Sequence, residues 1–510
     1  MQVDYGSDQR QCNQYKRVEE LRRFSFQNQI YESLRWRRIL YIRFRTYTLN
    51  LNSRISIWLP YVTVTLLFLV LCLGFDFNGL YGQDAHEYLR YSKALSALME
   101  TGVDPGSFVW PKLFPVLGTV IGFTGIPIGY SLQLISLFAM LGALLFAQRS
   151  LQFLYNTSGS WFLLLAAATQ VYFVRSGMLV MTDALAAFFV MGVVFNYLRL
   201  RKDAKLQFFV WILIFAVAGS FTRYAVVPLM AIPLLHSAWI VSKNWHVLLK
   251  IGAALAVVGG GLLFLFANNL AINVSSSIAG GWNPLHLIQR TFLFQSHVES
   301  YWVPNGIYIW SNFAHIGYLS FGVLLIFWWK QWNFRLKFLW FGVLVYLIFI
   351  GGIGFQNQRF LVISHLPILL LIYPAFQSLK SELSNRKLWW VFVGGILLFN
   401  SAFFYSSFSK MFAMHRFEKK VAKATHALDD SKTIYAFYVT PSLGSYDVPN
   451  PRVDLWGEDI EFEKGGYVIF NPELFEDNSR VMKNWNRLNE AYELEIIDDL
   501  PENWRIYHIQ

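Results

Sequence analysis

Two carboxylates flank an imidazole in Gly82-Gln83-Asp84-Ala85-His86-Glu87-Tyr88-Leu89-Arg90-Tyr91, a segment set between two very apolar stretches. A carboxylate can take a proton from an attacking hydroxyl within hydrogen-bonding reach. Ionisable groups beside a hydrocarbon region are costly enough to mark a functional site by default. Lys112, Arg175, Asp183, Arg223 and Arg359 stand in comparable positions, at the ends of long apolar runs. Arginine offers a rigid fork of donors suited to phosphate, and lysine a compact point charge. Such cations also stabilise the charge that builds on a departing phosphate. The set has the chemistry to hold the phosphate or pyrophosphate of a lipid carrier and to deprotonate a hydroxyl beside it.

Each residue also has a plainer use. Asp84 can cap the helix that follows, and Asp183, after Thr182 and a turn or two inside its helix, can cap or pair with Arg175. Arg175, Arg223 and Arg359 can snorkel to headgroups, although Gln356, Asn357 and Gln358 before Arg359 argue against a mere anchor. Glu87 lies one turn from Asp84 and shares its face. His86 can join Asp84 on a divalent metal, but no complete ligand set is visible, so a metal is left open and no cofactor is certain. Singly these signals are weak. Their common side of the membrane gives them weight.

That side follows from the elements that must position them. The chain has 510 residues, 55% of them hydrophobic and 15% charged, against about 25% charged in soluble domains. Uncharged runs such as 55–75 and 150–174 match the roughly 20 residues that cross a bilayer. The net charge of +11 raises the question of nucleic acid, but its distribution answers it. Residues 1–55 hold eleven Lys or Arg against five acids, and residues 409–510 hold twelve against eighteen. A basic head and an acidic tail fit opposite sides of a membrane, and no nucleic-acid partner is expected. No cleavable signal peptide is expected ahead of a first span at 56. Cys12 and Cys72 provide neither a disulfide framework nor metal spacing.

The expected fold is an all-α polytopic membrane protein of about eleven transmembrane helices, with a small C-terminal extracytoplasmic α/β domain. Spans are expected near 56–75, 127–148, 159–175, 178–198, 206–222, 224–241, 247–267, 306–328, 338–353, 360–378 and 388–406. Gly125-Ile126-Pro127 divides an interfacial helix from the second span. Residues 1–54 form a basic cytosolic or interfacial arm, in which Arg35 to Arg45 can lie on an anionic membrane face or serve as a topology anchor. Residues 55–408 form the transmembrane domain, with external loops at 76–126 and 268–305. Within the first loop, 84–100 has the apolar pattern of a helix lying along the interface, and the second loop suits a mobile flap. The basic loops at 199–205, 330–337 and 380–387 then face the cytoplasm. Residues 409–510 form the soluble domain, with a basic helix at 410–428, strands at 433–439, 467–470 and 505–509, and a helix at 472–492. On this topology Asp84, Glu87, Lys112, Arg175, Asp183, Arg223 and Arg359 share the external side.

Four segments, in order, resemble the GT-C superfamily of membrane glycosyltransferases, in particular the branch of the aminoarabinose-lipid A transferases and protein O-mannosyltransferases. Gly82 to Tyr88 resembles the acidic motif of the first external loop. Val109-Trp110-Pro111-Lys112-Leu113-Phe114-Pro115 resembles the Lys/Pro stretch before the second span. Val180 to Leu185 resembles the acid that opens the fourth span, and Gln358 to Pro367 resembles the Arg-to-Pro motif of a late span. The resemblance covers roughly 55–510. It implies a polyprenyl-phosphate sugar donor, an extracytoplasmic site and a first-loop acid as base. Carried over, Asp84 is the base, with Glu87 beside it. Lys112, Arg223 and Arg359 become phosphate or donor contacts, and Asp183 a second polar anchor. His86 stands where the family commonly has Asp, so metal dependence stays open.

The expected function is therefore a cell-envelope glycosyltransferase of the cell (inner) membrane, with site and C-terminus extracytoplasmic. It passes a hexose or pentose from a polyprenyl-phosphate donor to a lipid, glycan or protein acceptor among membrane lipids. A direct displacement on Asp84 predicts inversion. The alternatives are a transporter or flippase of lipid-linked sugars, which would place its site near the midplane between repeats, and a non-enzymatic assembly or export subunit.

Overall fold

Lipid offers no partner to a backbone amide, so chain that crosses it closes its hydrogen bonds as helix. The structure, a computed structural model, describes residues 57–243, 281–294, 297–307, 317–354, 357–383, 385–458 and 460–510, with Gly252 and His315. The basic arm at 1–54 and nearly all of the expected span 247–267 lie outside the described residues, as does 308–314 within the expected span 306–328.

In order, the first half consists of α1 (Ile57–Leu73), α2 (Gln83–Thr101), α3 (Leu113–Gly122), α4 (Ile128–Tyr155), α5 (Ser160–Leu163), α6 (Val171–Met178), α7 (Asp183–Asp203), α8 (Leu206–Thr222) and α9 (Val227–Ser242). A hairpin follows, β1 (Thr291–Phe294) against β2 (His297–Ser300), inside the loop expected as a flap. Then come α10 (Gly322–Ile326), α11 (Lys337–Gly351), α12 (Val362–Glu382) and the forty-residue α13 (Arg386–Thr425).

Among the described residues, six helical stretches are long and apolar enough to cross a membrane: Ile128–Tyr155, Asp183–Asp203, Tyr224–Ser242, Phe334–Gly351, Gln358–Glu382 and Arg386–Thr425. That is fewer than the eleven or so expected. Ile57–Leu73, Leu113–Gly122 and Leu206–Thr222 are shorter apolar helices. The expected span 159–175 is broken. After α5 the chain passes through a π-helix over Leu164–Ala168 and stops at Thr169-Gln170. There the Thr169 hydroxyl bonds the Leu164 carbonyl at 3.0 Å and the Gln170 amide bonds that of Leu165, so side chains replace the helical ladder. The expected 306–328 span also fails as a continuous helix over its described part, which holds only short turns and α10.

The buried centre is α7 and α12. Gly192 of α7 faces Phe215 of α8 so closely that a Cβ there would meet the ring at 2.6 Å. Small residues of this kind let membrane helices approach.

α13 runs on past its apolar part into a second layer. Residues 410–425 of the expected separate basic helix are thus its continuation. The sheet beyond combines β3 (Ile434–Ala436), α14 (Thr440–Ser445), β4 (Arg452–Asp454), β5 (Tyr467–Phe470), α15 (Ser479–Ala491), β6 (Leu494–Asp499) and β7 (Arg505–Ile509). Strand order is β4-β3-β5-β7-β6, with β3 parallel to β4 and β5, and β7 antiparallel to β5 and β6. Alternation along the strands feeds two cores. Ile434, Ile469, Trp504 and Ile506 pack with Phe417 and Val421 of α13. Val468, Phe470 and Tyr507 pack with Val481, Trp485 and Leu488 of α15. β5 and β7 stand at the expected residues. The 433–439 strand shortens to β3 and the 472–492 helix to α15. β4 and β6 were not anticipated, because β4 has three residues and β6 is exposed along nearly its whole length.

Trp504 is 1% exposed and touches both Phe417 and Phe475. Trp504→Ala is expected to destabilise the sheet layer by about 3–5 kcal/mol. Ile496→Thr, on the exposed edge strand, should change it by no more than about 0.5 kcal/mol. Thermal unfolding of the two purified variants checks this.

Candidate functional site

Four chain segments converge on one point because short polar brackets tie them together. Gln133 of α4, 2% exposed, donates its amide to the Phe77 carbonyl at 3.3 Å and to that of Met178 at 3.0 Å. Val180 N–H bonds the Gly79 carbonyl at 2.9 Å. Gly79 adopts φ +80°, and a Cβ there would meet the Met178 carbonyl at 2.9 Å, so only glycine permits the contact. Ser136 of α4 adds a bond to the Met181 carbonyl at 3.2 Å. The starts of α2 and α7 are thereby held side by side.

Asp84 is the second residue of α2, after Gly82, whose φ is +77°. Its carboxylate pairs with the guanidinium of Arg359, 275 residues later. Asp183 is the first residue of α7, not a turn or two inside it as expected from sequence, because α6 ends at Met178 and the extended Leu179 breaks the chain ahead of Thr182. Its carboxylate is 2% exposed and pairs with Arg223, not with Arg175. Arg223 sits at the extended break between α8 and the turn Tyr224–Val226. Arg359 sits in the 3-10 turn Gln358–Leu361, where the Asn357 side chain accepts from its backbone N–H at 3.1 Å. Both guanidiniums lie over the Phe360 ring, Arg223 at 4.8 Å and Arg359 at 5.7 Å. Arg359 Nη1 also reaches the Met181 sulfur at 3.3 Å, and its buried Nε has no partner among the described residues. Arg359 is within electrostatic reach of both carboxylates.

These two pairs form one wall of a cavity of about 1000 Å³. Tyr88 lines it one turn beyond Asp84, and burial, outweighing its bond to Thr182, pushes the phenol up to about 12. Trp110 and Pro111 line it before α3, and Phe349, Ile353 and Phe360 add apolar surface. Further lining comes from β1 and the segment ahead of it, through His286, Gln289, Thr291 and Phe292. His286 Nδ1 donates to the Gly352 carbonyl at 2.9 Å, which leaves Nε2 as the acceptor.

Of the eight nominated residues, Asp84, Asp183, Arg223 and Arg359 line this cavity and the other four do not. Glu87 pairs with Arg90 at 2.9 Å on the outer face of α2. Lys112 lies 5.5 Å from the Tyr91 ring, directly after the lining residues Trp110 and Pro111. Arg175 stacks 4.6 Å over Tyr81. His86 is buried between α13 and α14. Tyr88, Trp110, His286, Gln289 and Gln133 went unnominated. Tyr88 and Trp110 sit inside the quoted motifs, so their neighbours were the signal. For Gln133 and His286 only folding shows what they face. Among the described residues no group of three His, Cys, Asp or Glu is placed to hold a metal ion, so no step is assigned to one.

No family model matches the sequence, and no curated protein matches it. Among solved structures the chain is similar to ArnT from Cupriavidus metallidurans. In the crystal structure bound to undecaprenyl phosphate the TM-score is 0.56 at 10% identity, covering 88% of this chain and 97% of that chain. For the apo state it is 0.55 at 11% identity, covering 87% and 97%. The resemblance drawn from the four motifs and this likeness to ArnT agree, the latter as a likeness of fold.

A buried ion pair is costly to break by halves. Arg223→Met, which strands the Asp183 carboxylate, is expected to destabilise the protein by about 3–5 kcal/mol, and the paired change Asp183→Leu with Arg223→Met by much less. Thermal melts of the single and double variants read the difference.

Proposed function

We propose that this chain is an integral-membrane glycosyltransferase that takes a sugar from a polyprenyl-phosphate donor and passes it to a hydroxyl acceptor on a lipid, glycan or protein. One observation carries the reading: Asp84–Arg359 and Asp183–Arg223, drawn from four distant segments, sit on one wall of a cavity with apolar walls large enough for a sugar phosphate. The fold shared with ArnT, crystallised with undecaprenyl phosphate, supports the same class of donor.

The resting site is neutral, two carboxylates against two guanidiniums. An entering phosphate competes for the guanidiniums, and Arg359, more exposed than Arg223, is the readier to turn. Bidentate contacts from arginine match the phosphate oxygens. The move releases the Asp84 carboxylate as a proton acceptor beside the bound sugar. The acceptor oxygen then attacks the anomeric carbon while Asp84 takes its proton, and the carbon–oxygen bond to phosphate breaks with its electron pair leaving on the phosphate. Arg223 and Arg359 stabilise that charge. A single displacement of this kind inverts the anomeric centre. Asp183 keeps Arg223 aimed at the phosphate, and Trp110, Phe292 and Phe349 provide apolar surface for the sugar face and the first isoprene units.

The proposed location is the inner membrane, with cavity and sheet layer on the extracytoplasmic face. In a protein with its native cysteines replaced, single cysteines at Lys202 and Asp447 should then react with an impermeant thiol reagent from opposite sides of oriented vesicles. Labelling from one side would overturn the topology.

Asp84→Asn should abolish transfer from a polyprenyl-phosphate sugar, read by mass spectrometry of the released polyprenyl phosphate, and should still bind undecaprenyl phosphate. Arg359→Ala should weaken that binding by about tenfold or more, the loss of a charge-assisted hydrogen bond being worth about 1.5–3 kcal/mol. Undiminished turnover in Asp84→Asn would remove Asp84 as the base. Vesicle transport of the lipid-linked sugar without any chemical product would replace the enzyme with a flippase.

A further inference from the structure

α2 has two working faces. Asp84 and Tyr88, four residues apart, line the cavity. His86 and Lys93, seven residues apart and so on one stripe of a 3.6-residue helix, face the C-terminal layer instead. His86 is 2% exposed and both ring nitrogens are engaged. Nδ1 lies 2.9 Å from the Ser445 hydroxyl at the end of α14, and Nε2 lies 3.2 Å from Glu418 Oε1 on α13. The Ser445 hydroxyl also lies 3.3 Å from the Pro441 carbonyl, so it can donate there while its oxygen accepts from His86 Nδ1–H. Glu418 Oε1 then faces the remaining nitrogen, and one proton joins the two. The other oxygen, Glu418 Oε2, is buried with no partner among the described residues. On the same stripe Lys93 donates to the Asp447 carboxylate at 2.6 Å.

The chain that leads into α2 is gripped by the same helix. The ring of Phe412 on α13 stacks on Phe75 at 4.7 Å. One turn on, His415 Nε2 donates to the Asp76 carbonyl at 2.9 Å, and its Nδ1 accepts from the Tyr446 hydroxyl at 3.2 Å. Lys419 donates to the Asp76 carboxylate at 2.6 Å. The middle of α2 is also held against α3, by Ser92 and Thr119. On the side away from the cavity, the first turn of α2 is held by His86.

We propose that the C-terminal layer is a clamp that sets the position of the Asp84 carboxylate, with His86 and Glu418 as positioning residues. The proposal rests on the reading of Asp84 as the base. A buried, charge-assisted hydrogen bond fixes two rigid helices at one separation, whereas apolar faces slide. A displacement of about 1 Å at a reacting group can cost about 100-fold in rate. Trimming the clamp therefore acts on turnover more than on donor binding.

The test uses the full-length protein in lipid nanodiscs, with Glu418→Ala and Glu418→Gln. Glutamine can still hydrogen-bond His86 Nε2, accepting through its oxygen or donating through its amide. Hydrogen–deuterium exchange of peptides from 83–101 reports the position of α2 without any assay of transfer, and steady-state kinetics with a polyprenyl-phosphate sugar report its consequence. Glu418→Ala is expected to speed exchange in the first half of α2 and leave α7 unchanged. It should lower kcat about tenfold or more, within the cost of a small misplacement, with KM for the donor little changed, and Glu418→Gln should restore most of it. Unchanged exchange and kcat in Glu418→Ala would overturn the clamp. So would faster exchange throughout the helical layer with equal losses in both variants, which would mark a role in folding only. If Glu418→Ala does not accumulate, Ser445→Ala removes the other contact of His86 and is held to the same outcomes. Faster exchange in α2 of Glu418→Ala, together with a wild-type protein that transfers no sugar, would sink the base and keep the clamp.

Discussion

Opposite charges taken out of water together organise this molecule. An isolated carboxylate or guanidinium in a poorly solvated pocket costs several kcal/mol, and a partner in contact offsets most of that. Asp183, almost fully buried, has Arg223, and Asp84 has Arg359. Each pair needs both members in place, so each fastens the start of one helix to a break between two others. Asp84 opens α2 and Asp183 opens α7, while Arg223 lies between α8 and α9 and Arg359 just ahead of α12. Positive helix starts favour the acids there as well. The backbone brackets through Gln133 and Gly79 remove the remaining freedom.

The same neutrality makes the wall suited to exchange. A site with only arginines would hold phosphate and release it slowly, and one with only acids would repel it. With two of each, and both guanidiniums over the Phe360 ring, an anion can take the place of one carboxylate on its arginine. In the proposed reaction the displaced carboxylate becomes the base, so donor binding and base activation are one event. The apolar remainder of the cavity fits a donor whose carrier is a hydrocarbon.

The sheet layer then has a mechanical meaning. α13 is too long for the membrane alone, and its extra turns present Phe412, His415, Glu418 and Lys419 to the chain around Asp84. Those turns are also part of the core of the sheet, through Phe417 and Val421. One helix thus belongs to both layers, and the His86 junction passes its position to α2.

Much of this could be read along the chain. Apolar runs marked the longest helices, Gly125-Ile126-Pro127 marked the division of α3 from α4, and β5 and β7 stand at the residues expected for strands. The charges Asp84, Asp183, Arg223 and Arg359 stood out because charge is rare beside such runs. Burial and length alone were poorer guides: Thr169-Gln170 broke an apolar run by bonding its own backbone, and β6, with no alternation, gave no signal. Pairing was decided only by the tertiary structure. Sequence left Asp183 free to choose between a cap, Arg175 and catalysis, and packing chose Arg223. It set His86 among the site residues for its nearness to Asp84, yet two residues along a helix is about 200° around it, and the ring faces the other way. The sequence by itself determined which residues carry charge and which stretches shun water, because both are properties of side chains. Which charges meet depends on how helices hundreds of residues apart pack, and that is a property of the whole fold.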